Sequence, residues 1–132
     1  MKIDVLTLLP AMFVGPLDES IVKRARQAGL LDLRLHNLRD YAHDRHRTVD
    51  DRPFGGGPGM LLKPEPIFEA VENLARESTR VVLLSPAGRA FNQAIARELA
   101  QCGDLLLISG HYEGFDERVR EELADDELSI GD

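Results

Sequence analysis

The residues best suited to chemistry lie between Ser109 and Arg118, in the run Ser-Gly-His-Tyr-Glu-Gly-Phe-Asp-Glu-Arg. Glycines at Gly110 and Gly114 alternate there with an aromatic at Tyr112 and carboxylates at Glu113 and Asp116. The apolar run Leu105 to Ile108 precedes it and reads as a buried strand; Phe115, Val119 and Leu123 follow at helical spacing. Ligands of open α/β sheets bind outside the carboxyl ends of strands. Acids at such a mouth favour a cationic guest and make a poor NAD or ATP site. Two further stretches share the pattern: Leu84-Ser85-Pro86-Ala87-Gly88-Arg89 and Leu128-Ser129-Ile130-Gly131-Asp132. Their backbone N–H and C=O groups and small side chains suit an adenine edge and a ribose, and three such ends could meet round one ligand. Ordinary strand-to-helix turn chemistry explains each turn taken singly.

Two more motifs occupy the middle of the chain. Phe54-Gly55-Gly56-Gly57-Pro58-Gly59-Met60 frees the backbone for close approach to a ligand, or for a flexible lid or tight turn. It lacks the Gly-Lys-Ser/Thr of a phosphate-cradling loop, and no strand precedes it as a dinucleotide fingerprint requires. Ahead of it, His43-Asp44-Arg45-His46-Arg47-Thr48-Val49-Asp50-Asp51-Arg52 mixes arginines with acids. Guanidinium forks match phosphate oxygens; a surface network of ion pairs is the alternative. His43 and His46 without a third ligand at the usual spacing make a weak metal site.

Positioning these groups requires a scaffold, and the pattern supplies one. Lys2 to Leu9 reads as a buried strand, Asp18 to Ala28 as a helix capped by Asp18 or Ser20, and Leu31 to Leu35 as a half-exposed strand. Ile21, Val22, Ala25 and Ala28 share one face of the first helix, and Gly29 suits the position just past its end. Met12 and Phe13 are expected to cover the core in a short turn. From Asn37 to Leu62 no period survives, and irregular stretches of that length are generally functional or disordered. Pro64 or Pro66 opens the next helix, with Ile67, Phe68, Val71, Leu74 and Ala75 as its buried stripe. Arg80 to Leu84 is a strand of the kind buried on both faces, and a helix follows, lined by Phe91, Ala94, Ile95, Leu99 and Cys102, with Asn92 on its polar side. A helix from Phe115 to Leu123 precedes a last strand beginning at Leu128. Strands alternating with helices argue for one α/β domain built on a parallel sheet.

Bulk composition narrows the class. The 132 residues carry a net charge of −7, which argues against a nucleic-acid binder that works through a general positive surface. Arg34, Arg39, Arg45, Arg47 and Arg52 nonetheless crowd one segment that can hold a phosphate backbone locally. The acids Glu117, Glu121, Glu122, Asp125, Asp126 and Glu127 read as a solvated helix face. One cysteine, Cys102, excludes an internal disulfide and fits a reducing cytoplasm. No apolar run approaches a membrane span, and the first residues do not look like a signal peptide.

Taken in order, the motifs His43 to Pro53, Gly55 to Met60, Leu84-Ser85-Pro86-x-Gly88-Arg89, Gly110-x-Tyr112-Glu113-Gly114-x-Asp116-Glu117-Arg118-Val119 and Ser129-Ile130-Gly131-Asp132 closely resemble the bacterial tRNA (guanine-N1)-methyltransferases of the SPOUT, trefoil-knotted superfamily. The resemblance covers nearly the whole chain. It implies a parallel-sheet α/β fold of SPOUT type, S-adenosyl-L-methionine as cofactor, and methylation of N1 of the guanine 3′ of the tRNA anticodon. It implies a cytoplasmic homodimer with the active site between subunits. The cofactor is expected among three turns: Leu84, Ser85 and Pro86; Gly110, Tyr112, Glu113 and Gly114; and Ser129, Ile130, Gly131 and Asp132. Arg45, Arg47, Asp50, Arg52, Gly55, Gly56, Gly57 and Gly59 are expected to hold the RNA.

The family pattern runs on past Asp132, and its general-base aspartate and catalytic arginine lie in that continuation. Residues 1–132 are therefore expected to be an N-terminal, S-adenosylmethionine-binding catalytic domain that is nearly inactive alone, with an incomplete knot and without the small helical domain. Glu113 is left as a carboxylate beside the reacting groups, orienting guanine or a Mg2+ ion. The alternatives are a non-catalytic cofactor- or RNA-binding module of the same fold and an unrelated α/β nucleotide binder.

Overall fold

Short apolar runs of β-branched and leucine residues make the strands here, and glycine and proline punctuate them. The computed structural model describes residues 1–13, 20–46, 48–51, 61–110 and 114–130. Its elements are β1 (Lys2–Thr7), α1 (Ser20–Gln27), β2 (Asp32–Asn37), a 3-10 turn (Leu38–Tyr41), β3 (Asp50–Asp51), β4 (Leu61–Leu62) and α2 (Pro64–Leu74). They continue with β5 (Arg80–Ala90), α3 (Gln93–Ala100), β6 (Asp104–Ser109), β7 (Gly114–Phe115), α4 (Glu117–Glu122) and β8 (Asp126–Ser129). The main sheet has five strands in the order β2-β1-β6-β5-β8, all parallel. The expected parallel α/β architecture is what the chain adopts.

Period-two alternation divides the core between the two sheet faces. On one face Leu6, Val81, Leu83, Leu106 and Ile108 pack against Ile67, Ala70 and Val71 of α2, Val119 of α4, and Leu38 beside the 3-10 turn's start. On the other, Val82, Leu105 and Leu128 meet Ile95 and Leu99 of α3. Leu83, Leu106 and Ile108 are essentially inaccessible, and burial of each stabilises the fold by roughly 1.5–3 kcal/mol. The second face is the less covered. Ile3, Leu33, Leu84, Phe91, Leu107 and Ile130 help line an apolar cavity of about 380 Å³ there.

Helix ends follow local chemistry. Pro64 opens α2, where its missing N–H is harmless. Asn92 caps α3 rather than lying on its polar side: its Oδ1 accepts from the Ile95 N–H at 2.8 Å, an arrangement worth about 1 kcal/mol. Gly29, with φ of 74°, ends the first helix in the left-handed region that favours glycine. One charge is buried in the sheet: Asp4 accepts from His36 Nε2 at 2.7 Å, with Lys2 Nζ 3.5 Å away.

Several expectations need correction. Phe91 and Ala94 are exposed, because α3 begins only at Gln93 and seats Ile95 and Leu99 alone. Phe115 belongs to β7 rather than to a helix. Met12 is 63% exposed and Ile21 76%, so the first turn and α1 present apolar side chains outward. Asn37 to Leu62 is not wholly irregular: it holds the 3-10 turn and β3, and ends within β4. A cap at Asp18 lies outside the described residues.

β5 was expected to stop at Leu84. It runs on to Ala90 through a bulge, so that Leu84 and Arg89 both register with Leu128 and Ala90 registers with Ser129. Gly88 sits where this bulge presses on β8: a Cβ there would lie 2.5 Å from the Leu128 nitrogen. Gly88→Ala should therefore cost at least the upper end of ~1–3 kcal/mol, since only a backbone shift relieves it. Gly103→Ala, with open space around its Cβ, should change stability by less than about 1 kcal/mol. Urea denaturation of the two variants checks the contrast.

Candidate functional site

Because β6, β5 and β8 are neighbours, their carboxyl ends share one edge. Leu84 registers with Ser109 on one side and with Leu128 on the other. The described parts of the three stretches singled out in the sequence are thus brought side by side: the bulge at 85–88, Gly110 just past the end of β6, and Ser129 at the end of β8. Leu84 and Ser129 are half-buried, Pro86 and Ile130 exposed, Ser85 and Gly114 buried. Tyr112, Glu113, Gly131 and Asp132 lie outside the described residues.

Ser85 does not offer its side chain to a ligand. Its hydroxyl donates to Glu127 Oε2 in a short hydrogen bond. Glu127 also receives Arg120, whose Nη2 lies 3.2 Å from Oε2 and whose Nε lies 3.2 Å from Oε1. Arg120 in turn crowds the second turn, its Nη2 lying 3.3 Å from where a Cβ on Gly114 would be. Composition alone did not reveal Glu127 and Arg120, which sit in the acidic run read as a solvated helix face. Strand alternation with Leu128 would have placed Glu127 on the opposite face from the Leu128 side chain.

The remaining acids near this edge are also engaged. Asp116 caps α4, accepting from the Arg118 N–H at 2.9 Å and from its Nε at 3.1 Å. Hydrogen bonding from the Arg118 side chain, then from its N–H, holds the Asp116 carboxyl below the usual carboxylate range. Asp126 pairs with Arg89 through two hydrogen bonds of 3.1 and 2.5 Å, with Arg80 3.5 Å away. The Arg89 hydrogen bond is the main reason its carboxyl lies low.

A second, three-stranded sheet connects this edge to the glycine-rich segment. β3 pairs antiparallel with β4, and β4 pairs parallel with β7, matching Asp51 to Leu61 and Leu61 to Gly114. The Lys63 N–H donates to the Val49 carbonyl at 2.7 Å. Val49, Leu62 and Phe115 are buried in the main core. Gly110 has little room, as a Cβ would sit 3.2 Å from the Phe115 ring. Both ends of the segment 52–60 are therefore fixed beside the middle turn. Asp50 lies on β3; Arg45 is exposed in the turn before it; Arg47, Arg52, Gly55, Gly56, Gly57 and Gly59 fall outside the described residues.

His43 and Asp44 are used locally. His43 Nε2 lies 2.6 Å from Glu69 Oε2, and Asp44 accepts from the Thr48 N–H and hydroxyl, both at 2.7 Å. Among the described residues no group of three or more metal-ligating side chains is gathered. The described residues therefore provide no cage for Mg2+.

A parallel α/β domain, with three strand ends aligned and a loop stem sewn to the middle one, is the class that fold and site define. The chain belongs to the family described as tRNA (Guanine-1)-methyltransferase TrmD, which it matches over residues 1–132. It is 64% identical over 135 residues to a tRNA (guanine-N(1)-)-methyltransferase of Dehalococcoides mccartyi, covering 100% of this chain and 54% of that one. Proteins of the same name from Chloroflexus aggregans and Koribacter versatilis are 59% and 56% identical, with 53% and 52% of their lengths covered. The chain thus spans about half the length of the curated relatives it matches.

The low Asp126 carboxyl has a consequence for acid stability. Its folded-state pKa lies below the unfolded value of ~3.9, so its contribution is complete above that value and is lost as pH falls through the folded one. Asp126→Asn should be less stable than the parent at neutral pH, and the gap should close as pH falls below about 4. Thermal melts from pH 7 to pH 2.5 measure it; a gap that stays constant would contradict the pairing.

Proposed function

We propose that the protein transfers a methyl group from S-adenosyl-L-methionine to N1 of the guanine 3′ of the tRNA anticodon, with residues 1–132 as the cofactor-binding catalytic domain. The observation that carries the reading is the small sheet: β4 pairs with β7, so the stem of the glycine-rich segment adjoins the middle strand-end turn. A donor at the strand ends and an acceptor base held by that segment would then meet across Gly114. Membership of the family described as tRNA (Guanine-1)-methyltransferase supports the methyl transfer to a tRNA guanine.

The residues present fit the cofactor in part by their own chemistry. Half-buried Leu84 and exposed Ile130 offer apolar surface at the edge, and backbone N–H and C=O groups suit an adenine edge. The bound cofactor supplies an activated methyl group on a positively charged sulfur. The backbone at Leu84, Pro86, Gly110, Gly114 and Ser129 orients it, with Arg120 packed close to Gly114. Methyl transfer demands in-line placement of N1, methyl and sulfur, so most of the protein's contribution is positioning. Guanine N1 holds a proton at neutral pH, and a carboxylate must accept it as the new bond forms. The family pattern assigns that base to sequence beyond Asp132 and leaves Glu113 to orient the guanine. The guanine leaves its stack to reach the site. Arg45, Arg47 and Arg52 hold phosphates near it, a local electrostatic contact on an otherwise acidic chain. The reading includes a homodimer with the active site between subunits, acting in the cytoplasm; exposed Ile21, Leu30 and Ile130 leave apolar surface for a neighbour.

Transfer of radiolabelled methyl to unmodified tRNA tests the activity. The full-length protein should label wild-type tRNA and leave unlabelled a tRNA whose guanine 3′ of the anticodon is replaced. Residues 1–132 alone should give only trace labelling, and robust turnover by them would refute the placement of the base. Arg45→Ala should weaken tRNA binding and lower the slope of log affinity against log salt by about one, without altering S-adenosylhomocysteine binding. An unchanged salt slope would remove Arg45 from the RNA contact.

A further inference from the structure

One half-buried carboxylate bonds to Ser85 in the bulge, reaches Gly114 through Arg120, and lies on the strand that leads to Ser129. Glu127 accepts from the Ser85 hydroxyl in the first turn. It receives Arg120, whose guanidinium lies against Gly114 in the second. It sits on β8 two residues before Ser129, where the third stretch begins, and its backbone passes under the β5 bulge: a Cβ on Gly88 would lie 2.6 Å from the Glu127 carbonyl oxygen. We propose that Glu127 is a positioning residue that holds Ser85, Gly114 and the end of β8 in the arrangement that binds S-adenosylmethionine, acting through Ser85 and Arg120. This inference rests on the cofactor reading above and adds to it a residue outside the turns that reading names.

The physical case is geometric and electrostatic. A group that orders a binding turn needs few degrees of freedom itself, and the Glu127 side chain is only 20% exposed. Its two oxygens face a hydroxyl donor and a guanidinium, so its charge is already matched within the protein. Compensated in this way, it acts on the site through Ser85 and Arg120 rather than as a counter-charge for a sulfonium. Removing the carboxylate would free Ser85 to turn, and would release Arg120 from the place that keeps Gly114 close. The turns would then bind from a wider ensemble, which weakens affinity without altering which ligand is preferred.

Isothermal titration of the full chain with S-adenosylmethionine and, separately, S-adenosylhomocysteine decides the matter. Glu127→Ala should weaken both ligands by the same factor, roughly 10-fold or more, the scale on which supporting groups act. Glu127→Gln keeps an acceptor oxygen for Ser85 and Arg120 and should restore most of the affinity. Ser85→Ala combined with Glu127→Ala should lose no more than Glu127→Ala alone, since the two act as one unit. Glu98→Ala, which breaks the Arg80 pair on the α3 side, controls for plain destabilisation: it should lower the melting temperature and leave affinity unchanged. A selective loss of S-adenosylmethionine over S-adenosylhomocysteine would make Glu127 a counter-charge and overturn the positioning role. Unchanged affinity in Glu127→Ala, with the wild type binding normally, would overturn the inference alone. A wild type that binds neither ligand would remove the cofactor reading and this inference with it.

Discussion

The register of β5 between β6 and β8 is the constraint on which the rest depends. Leu84 lies opposite Ser109 and Leu128 at once, so three carboxyl ends are level and their turns open on the same side. A slip of one residue would exchange the faces of Val81, Val82, Leu83 and Leu84 and expose the larger cluster's leucines. The hydrophobic split between the two faces therefore fixes the position of the turns. The bulge after Leu84 adds length to β5 without moving β8, and it closes only because Gly88 has no side chain against the Glu127–Leu128 peptide. Ser85 enters the protein at that bulge and meets Glu127.

Electrostatics at this edge differ from what composition suggests. By composition the C-terminal acids read as a solvated helix face, and Glu113 and Asp116 as an acidic mouth that suits a cation. In the structure Asp116 is engaged by Arg118, Asp126 by Arg89, and Glu127 by Arg120 and Ser85. Each carboxylate is matched by a guanidinium within the protein, and its field at a ligand is correspondingly reduced. Of the two acids read as that mouth, Asp116 is thus already paired within the protein. The same pairings explain why an acidic segment follows the middle turn at all: it holds α4 and β8 to the sheet.

Much of the fold was legible because burial imposes simple periods. Val81 to Leu84 and Leu105 to Ile108 are continuous apolar runs, and they proved to be central strands. Pro64 and Gly29 marked helix ends through constraints of their own. The errors came where tertiary contacts override local pattern. Phe115 has helical spacing to Val119, yet it pairs as a strand with Leu62 because the ring fills space beside Gly110. Asp50–Asp51 and Leu61–Leu62 are too short to show a period and exist only through partners distant in sequence. The three strand ends of the candidate site were visible as motifs. Their linkage through Glu127 was not, since a charge that is half-buried by tertiary packing looks the same in sequence as one in water.

Two-residue strands such as β3, β4 and β7 have no stability of their own. Their pairing holds because Val49, Leu62 and Phe115 are buried in the larger of the two core clusters, next to Ile108 and Val119. The stem of the glycine-rich segment is thus anchored by the same side chains that seat α4 and the end of β6. Phe115 links the two: its backbone pairs with Leu62 at the stem, and its ring leaves room for no side chain at Gly110 in the strand-end turn. Displacing Leu62 would disturb Phe115 and with it Gly110, because a close-packed contact has little slack to absorb the movement. Asp51 and Leu61 at the stem and Gly110 and Gly114 at the strand ends are therefore held by one set of contacts through Phe115, and the position of one pair is a condition for the position of the other.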